Sequence, residues 1–227
     1  MKNQITSSNQ FARASKLTNP TYLSALAYWA LRKLTRIQFH HVYAVDLSQP
    51  QEAAGLENGF AVSVVKHLED LENLPPGMEA QLNEQSGMSC RALCERGARL
   101  YFIHSGHDIA CQLNINSGEV TVDSPADLHF RLNATDAFLN YLYTRDAFRG
   151  HGLARKLLRY ACSDLSKQGK QRCFAHIRAT NHASLNAFKL CGWKVCGRII
   201  TTTSRHFLAA PGCAQSGILV SPVVSRA

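Results

Sequence analysis

The six-residue segment Arg149-Gly150-His151-Gly152-Leu153-Ala154 has the composition of an anion-binding turn. It follows a strand-like run over 138–144 and opens a helix-like run over 153–165. The two glycines let the backbone approach a ligand closely and adopt dihedral angles that side chains disfavour. The first turn of a helix leaves N–H groups without intrahelical partners, and the helix dipole favours an anion there. Since Arg149 and Arg155 add positive charge on either side, the pattern predicts a phosphate site.

Two common phosphate-binding motifs do not fit this turn. The dinucleotide fingerprint G-x-G-x-x-G needs a third glycine at the position where this chain has Arg155. A Walker loop needs a Gly-Lys-Ser/Thr sequence, which does not follow. A plain tight connection from strand to helix is the alternative, and the turn alone does not separate it from a binding site.

A second motif follows the predicted helix. Residues 173–179 have the pattern of a strand, and the segment after them begins with Asn181. Asn181 can cap the start of a short helix, and Gly192 can end that helix in a left-handed conformation. The run over 194–203 is rich in β-branched residues and predicts a further strand.

Together the two motifs resemble the GNAT family of acyl-CoA-dependent N-acetyltransferases. The phosphate turn of the family reads Arg/Gln-x-x-Gly-x-Gly/Ala, and this chain matches it with Arg149, Gly152 and Ala154. The later signature of the family is an Asn, a small residue, an aromatic residue and Gly-Phe, matched in spacing by Asn181, Ser184, Phe188 and Gly192-Trp193. The resemblance is sharp over 138–200, extends over 58–137 and leaves out 1–56.

The resemblance implies acetyl-CoA, or a related acyl-CoA, as co-substrate and no metal. It implies that backbone groups over 142–144 bind the pantetheine arm as an added strand would. It also implies that Phe188 forms a wall beside that arm. The residues expected to contact the co-substrate are Leu142, Tyr143, Thr144, Arg149, Gly150, His151, Gly152, Leu153, Ala154, Arg155, Asn181, Ser184 and Phe188.

The order of the predicted elements places antiparallel strands first and strand-helix-strand units after them. This order predicts an α/β (α+β) fold in which helices flank a mixed, mostly antiparallel sheet. The resemblance implies that the two central strands splay apart. We expect an N-terminal extension over 1–56, with an amphipathic helix at 21–36 and a strand candidate over 37–45. The acetyltransferase domain is expected over 57–204 and a tail over 205–227, where residues 218–220 could add an edge strand.

Acetyl transfer needs a neutral amine, a polarised thioester carbonyl and a stabilised thiolate. Many relatives place a Tyr where this chain has Phe188, and a Glu where it has Asn140 and Tyr141. The catalytic candidates are therefore Tyr141 and Tyr143, of which strand parity selects one, and His176, whose ordinary pKa is near neutrality. Arg178 on the strand of His176 and the loop carboxylates Asp136 and Asp146 are further candidates, although a loop Asp usually forms a turn. Sheet packing for the tyrosines, a structural role for the histidine, and a water-relayed base with positional catalysis stay open.

The composition limits the kinds of partner and compartment that are expected for this chain. The net charge of +9 suits an anionic partner such as a nucleotide cofactor, a nucleic acid or an acidic membrane surface. No apolar run reaches the length of about eighteen residues that predicts a membrane span. The helix at 21–36 could pack on the domain or lie on anionic lipid, and packing is the favoured reading. Eight cysteines without a C-x-x-C pair or a secretory signal predict reduced thiols and a cytoplasmic location.

The sequence therefore predicts an N-acetyltransferase that moves an acetyl group from acetyl-CoA to a primary amine of a small molecule in a ternary complex. A catalytically silent acetyl-CoA-binding or sensing module is one alternative. Acetylation of a protein N-terminus or lysine and O-acylation of a sugar are others, and the charge leaves a nucleic-acid-associated protein open. Homodimerisation and peripheral membrane contact are not decided.

Overall fold

The computed structural model describes residues 30, 33–48, 55–57, 59–86 and 88–223. The strands are β1 (Ile37–Asp46), β2 (Ala61–Val65), β3 (Arg99–Ser105), β4 (Asp108–Ser117), β5 (Glu119–Val122), β6 (Leu128–Arg131), β7 (Asp136–Thr144), β8 (Arg172–Arg178), β9 (Lys194–Thr202), β10 (Phe207–Ala209) and β11 (Leu219–Pro222). The helices are α1 (Leu68–Glu72), α2 (Met78–Ser86), α3 (Cys90–Glu95), α4 (Leu153–Lys167) and α5 (His182–Leu190). Among the described residues, eight strands form the main sheet in the order β10-β9-β1-β8-β7-β4-β3-β2, and three form a second sheet in the order β11-β6-β5.

The centre of the main sheet opens into a gap. Strands β7 and β8 run parallel and pair only from Asp136 with Arg172 to Leu139 with Ala175. Beyond that point β7 stays paired with β4, and β8 stays paired with β1. The register of β7 on β4 shifts at Asn140, and such a bulge bends the strand locally. The predicted mixed sheet with a splayed central pair is confirmed.

Strand β1 occupies a central position in the main sheet. It pairs antiparallel with β8 on one side and with β9 on the other. The strand predicted over 37–45 is therefore present, but it belongs to the sheet rather than to an extension that ends at residue 56. Residues 30 and 33–35 are helical, and the rest of the helix predicted at 21–36 lies outside the described residues.

Three layers cover the main sheet. One face packs against α4 and α5, and the inner side of α4 supplies apolar residues at helical spacing, such as Leu153, Leu157 and Leu158. The other face is covered at the β2-β3-β4 end by α1 to α3. At the β8-β1-β9 end it is covered by the second sheet, whose Phe130 contacts Phe138 at 4.7 Å between ring centroids. The C-terminal strand β11 is an edge strand of this second sheet.

An ion pair with a fully buried carboxylate fixes the start of the parallel strands. Arg172 donates from Nε and Nη2 to the two carboxylate oxygens of Asp136, at 3.0 and 2.8 Å. Its Nη1 donates to the carbonyl of Ser216 at 2.8 Å. The Asp136 residue is fully buried. The guanidinium of Arg172 therefore links β7, β8 and the chain segment before β11 through hydrogen bonds.

Candidate active site

The turn between β7 and α4 has the backbone that its glycines predict. A short 3₁₀ helix over Asp146–Phe148 leads into it. Gly150 has φ +91°, and Gly152, the residue before α4, has φ +68°. These values lie in the left-handed region that a side chain disfavours. The turn thus depends on glycine at both positions.

The backbone N–H groups of this turn and of the start of α4 divide into two sets. Arg155 and Lys156 donate their backbone N–H groups to the carbonyl of Gly152, at 3.1 Å each. Among the described residues, no carbonyl or side chain accepts from the N–H groups of residues 150–154. The first N–H groups of a helix have no intrahelical acceptor, and the helix dipole favours an anion there, so this row of amides at the positive end of a 15-residue helix is a ready anion site.

A cleft of about 680 Å³ lies beside these amides. Its lining comes from the end of β7, from the turn, from the first turn of α4 and from one side of α5. The lining residues are Leu142, Tyr143, Thr144, Phe148, Arg149, Gly150, Gly152, Leu153, Ala154, Arg155, Asn181, Ala183, Ser184, Asn186, Ala187 and Leu190. The structure thus brings together eleven of the thirteen residues that the sequence assigned to the co-substrate, all except His151 and Phe188.

Asn181 caps α5 as its position predicts. Its Oδ1 accepts a hydrogen bond from the backbone N–H of Ser184 at 3.2 Å. Gly192 follows the helix with φ +79°. These contacts set the angle at which α5 leaves the end of β8, and they place Ser184 at the wall of the cleft.

Arg149 is held by groups of the turn itself. Its Nη2 lies 2.7 Å from Asp146 Oδ1, and its Nε donates to the carbonyl of Thr144 at 3.3 Å. Its guanidinium also lies 5.9 Å from the centre of the Tyr143 ring. Arg155, by contrast, folds over Gly152, so that a Cβ built at that glycine would lie 3.2 Å from Arg155 Nη2. No acceptor for the Arg155 guanidinium is found among the described residues.

A second cavity, of about 420 Å³, lies on the outer side of the same turn. We call it the outer cavity; it is lined by Glu57, Gly150, His151, Gly152, Arg155, Lys156 and Arg159. Glu57 is the one acid in this lining, and its carboxylate lies 2.8 Å from Lys156 Nζ and 3.9 Å from His151 Nδ1. The hydrogen bond from Lys156 lowers the pKa of Glu57. His151 therefore belongs to the outer cavity and not to the cleft.

Phe188 lies in the core and not in the lining of the cleft, contrary to what the resemblance implies. It is 2% exposed and packs against Trp193 at 4.8 Å and Tyr43 at 6.3 Å between ring centroids. The face of α5 that lines the cleft has the helical spacing of Ala183, Asn186, Ala187 and Leu190. Phe188 lies on the core-facing side with Leu185, so it does not wall the cleft.

The three catalytic candidates lie in different surroundings. The hydroxyl of Tyr141 donates to the carbonyl of Gln85 in α2, and burial raises the pKa of Tyr141 to about 12. Tyr143 lines the cleft, and its hydroxyl lies 3.5 Å from Asp146 Oδ1. His176 lies on the opposite face of the sheet, against Phe130 and Phe138. The structure does not bring the three side chains together.

Several lining residues escaped the sequence analysis. Leu190 and Asn186 share a helical face with Ala183, and that periodicity was a usable signal. Lys156 and Arg159 follow Arg155 on the first two turns of α4, where their charge faces the turn. No local sequence pattern marks Glu57 as a lining residue, because it meets Lys156 only through folding of the chain across a long sequence separation.

The described residues contain neither a cluster of metal ligands nor a membrane-spanning helix. Within the described residues, no group of three or more His, Cys, Asp and Glu side chains could hold a metal ion. No helix in that part of the chain is long and apolar enough to cross a membrane.

The comparisons with known proteins identify one matching family model and several similar folds. Residues 122–193 match the model of the acetyltransferase (GNAT) family. No curated protein matches the chain. The fold is similar to that of a GCN5-related N-acetyltransferase from Sphaerobacter thermophilus, with 16% identity, a TM-score of 0.51, and coverage of 79% of this chain and 57% of that one. It is also similar to a GNAT-family acetyltransferase from Colwellia psychrerythraea, with 16% identity, a TM-score of 0.50, and coverage of 72% and 55%. The chain thus spans little more than half the length of either structure.

Proposed function

We propose that this chain, whose residues 122–193 match the model of the GNAT acetyltransferase family, transfers an acetyl group from acetyl-CoA to a primary amine of a small molecule. The observation that supports the proposal most is the row of amides at residues 150–154, which have no acceptor in the described part of the chain and lie beside a cleft along β7. The pyrophosphate of acetyl-CoA is the natural ligand for such amides. Arg155, which lines both the cleft and the outer cavity, would add a charged contact.

The end of β7 offers backbone groups to the pantetheine arm. Arg145 donates its N–H to the carbonyl of Ala110 in β4 at 2.9 Å. Because hydrogen-bonding directions alternate along a strand, the peptide groups of Leu142 and Thr144 point away from β4, toward the gap. The Thr144 carbonyl accepts from Arg149, which leaves the Leu142 peptide and the Thr144 N–H for the arm. An arm bound there would lie as an added strand.

The proposed reaction is direct attack. The lone pair of the amine nitrogen forms a C–N bond with the thioester carbonyl carbon, and the C–S bond breaks. The proton lost from the nitrogen and the thiolate released from acetyl-CoA give, in sum, an amide and free CoA thiol. Tyr143 is the candidate for a hydroxyl beside the departing thiolate, since it lines the cleft and Phe188 cannot donate a proton. Positioning of the two reactants supplies the rest of the rate.

Thiol detection with a panel of primary amines tests the transfer. We expect thiol release that depends on both acetyl-CoA and an amine. The matched control is the acetyl thioester of N-acetylcysteamine, which has the reacting group without the phosphates and should react far more slowly. Tight acetyl-CoA binding without turnover on any amine would favour a silent binding module. Turnover on peptides or on sugar hydroxyls alone would favour the other acceptors.

We also propose that the protein works in the cytoplasm. The support is that all eight cysteines are free and that most are buried, which suits a reducing compartment. Burial raises the pKa of these thiols, for instance to about 12 for Cys162, so they are poor nucleophiles.

A further inference from the structure

A serine on the edge strand β2 contacts a histidine on the neighbouring strand β3. Ser63 Oγ lies 3.1 Å from His104 Nε2. The other ring nitrogen, His104 Nδ1, lies 2.8 Å from the carbonyl oxygen of Gly106. A hydroxyl within hydrogen-bond reach of an imidazole that a third group orients is the arrangement of an activated nucleophile. The pair is therefore a candidate for chemistry outside the cleft.

The carbonyl of Gly106 sets the tautomer of this imidazole. A carbonyl oxygen can only accept a hydrogen bond, so Nδ1 of His104 is the nitrogen that has a proton. In the neutral ring Nε2 then has a lone pair, and the hydroxyl of Ser63 donates to it. This is the direction that a general base needs, because the same nitrogen can take the proton when Oγ attacks a substrate.

The strand register holds the two side chains on one face of the sheet. In the antiparallel ladder of β2 and β3, Ala61 pairs with His104 and Ser63 pairs with Phe102. Ser63 and His104 are thus diagonal neighbours, close enough for their side chains to meet. The ring of Phe102 lies 5.8 Å from the imidazole, between centroids. The imidazole is therefore held by a hydroxyl, a carbonyl and an aromatic ring.

Helix α2 holds the turn that supplies the carbonyl. Gly106 lies between β3 and β4 with φ +56°. Gln81 of α2 donates from Nε2 to the carbonyl of His107 at 2.9 Å, and its Oε1 accepts from the N–H of Ile109 at 3.1 Å. One side chain thus restrains this turn at two points, so the orientation of the imidazole is set by the fold before a substrate arrives.

The pair is accessible from solvent and lies away from the acetyl-CoA cleft. Ser63 and His104 are each half-buried. Their strands lie at one end of the main sheet, where β2 is the last strand and β3 and β4 separate it from β7. Phe102, on the same face as the pair, packs under α1 to α3, whereas the cleft is lined by α4 and α5. A reagent that reaches Ser63 therefore does not pass through the cleft.

We propose that Ser63 is a nucleophile that accepts an acyl group from an activated ester, with His104 as its general base. The Ser63 oxygen forms a bond to the ester carbonyl carbon while His104 Nε2 takes the hydroxyl proton. The bond from that carbon to the leaving oxygen breaks, and the proton passes to this oxygen, which gives an acyl-serine and an alcohol.

The position of the pair also indicates the class of substrate. Ser63 and His104 lie at an open sheet edge and line neither the cleft nor the outer cavity. The carbonyl therefore has to be activated by its own leaving group, so the substrate is an aryl ester with a small acyl group. This activity is separate from the proposed acetyl transfer and does not depend on acetyl-CoA.

Reaction of the full chain with 4-nitrophenyl acetate, followed by peptide mapping, tests the assignment. Cleavage after Arg36 and Lys66 gives one peptide that contains Ser48 and Ser63, and fragmentation distinguishes the two serines. We expect the acetyl group on Ser63 and not on Ser48. Saturating acetyl-CoA should leave the yield unchanged, because the cleft lies on the other face of the sheet.

Three variants test the role of each side chain. Ser63→Ala should abolish acetylation of this peptide. His104→Gln keeps a hydrogen-bonding side chain without a base and should lower the acylation rate of Ser63 about a hundredfold. Ser204→Ala is the matched control and should react as the parent does. Ser204 also contacts a histidine, at 3.0 Å from His206 Nδ1, but Thr202 contacts the same nitrogen at 3.4 Å, and no carbonyl in the described part of the chain orients that ring.

A fluorophosphonate reporter gives a second readout, because it labels activated serines and spares amines. We expect it on Ser63 of the parent and not on His104→Gln. Acetyl groups spread over other residues without preference for Ser63, or equal rates for the parent and a folded His104→Gln, would show the proposal to be wrong. Labelling that acetyl-CoA suppresses would place the reactive group in the cleft and would also overturn it. The mapping on the parent decides the question even if a variant does not fold, and no outcome bears on whether the cleft binds acetyl-CoA.

Discussion

The carboxylate of Glu57 lies 2.8 Å from the ammonium of Lys156, at the first turn of α4. The outer cavity is therefore lined by one negatively charged side chain as well as by the basic residues that would attract a bound phosphate. Lys156 is 19% exposed at its side chain, whereas Glu57 is 57% exposed. The carboxylate opposes the approach of an anion to the same turn, whose amides at 150–154 have no acceptor among the described residues.

Replacing Glu57 with Gln should tighten acetyl-CoA binding. The change removes one negative charge beside the phosphates while it keeps the size of the side chain. We expect a gain of about two- to fivefold at low salt, because exposed charges contribute modestly and are screened. Calorimetry at two salt concentrations measures it. Glu84→Gln, an exposed acid on α2, is the control and should change nothing. Equal affinities for the parent and Glu57→Gln at low salt would show that Glu57 does not oppose the ligand.

Gly150→Ala should weaken acetyl-CoA binding more than it weakens the fold. Gly150 has φ +91° with open space where a Cβ would stand, so the cost is backbone strain of about 1–2 kcal/mol. Gly169→Ala, at φ +77° and equally open, is a matched control outside the site. Both variants should lose similar stability in urea, but only Gly150→Ala should lose affinity, by about tenfold, since the strained turn re-aims its amides. A similar loss of affinity in both would point to a general effect of destabilisation.

Arg172→Met should strongly destabilise the protein. It leaves the fully buried Asp136 carboxylate without its partner, and breaking a buried pair typically costs about 3–5 kcal/mol. Arg131→Met removes an exposed pair with Glu119 at 3.5 Å and should cost less than about 1 kcal/mol. Denaturant unfolding compares them. A small change in the free energy of unfolding for Arg172→Met would mean that the hydrogen bonds of Arg172 do not stabilise the junction of β7, β8 and the C-terminal segment.

Acid should destabilise the fold through two buried histidines, His40 and His176. The native pKa values of His40 and His176 are about 3 and about 4, below the unfolded value of 6.5. As the pH falls below that value, the histidine is protonated in the unfolded state but stays neutral in the native state. Each group therefore lowers the free energy of unfolding by about 1.4 kcal/mol per pH unit until its native pKa is reached. Urea unfolding from pH about 7 to about 5 measures the slope. The double variant His40→Leu/His176→Phe should flatten it, and an unchanged slope would mean that the rings are protonated in the native state.

The turn, its two helices and the adjoining strands were predictable because their signals are local. Glycine before a helix, Asn181 three residues from the N–H that it caps, and alternation along β7 all act within a few residues. The gap between β7 and β8 was foreseen through the family resemblance, since no local pattern distinguishes a splayed pair from a closed one.

The place of β1 was not predictable in the same way. Its residues indicate a strand, but its pairing with β8 and β9 joins positions far apart in the sequence. An alternating pattern of apolar and polar residues predicts a strand without showing which strand it pairs with. For the same reason His40 and His176, each an ordinary strand residue alone, form a pair only in the fold. Phe188 was misplaced because spacing along α5 was matched to a motif before its helical face was assigned.

The central claim is that the amides at 150–154 bind the pyrophosphate of acetyl-CoA, and an amide-resolved NMR titration of the full chain tests it most directly. We expect the amide resonances of Gly150, His151, Gly152, Leu153 and Ala154 to shift most and to saturate with acetyl-CoA. Those of Gly169 and Gly192, other glycines at positive φ, should stay in place. If acetyl-CoA at saturation leaves the turn unchanged and shifts amides elsewhere, the account of this site is contradicted.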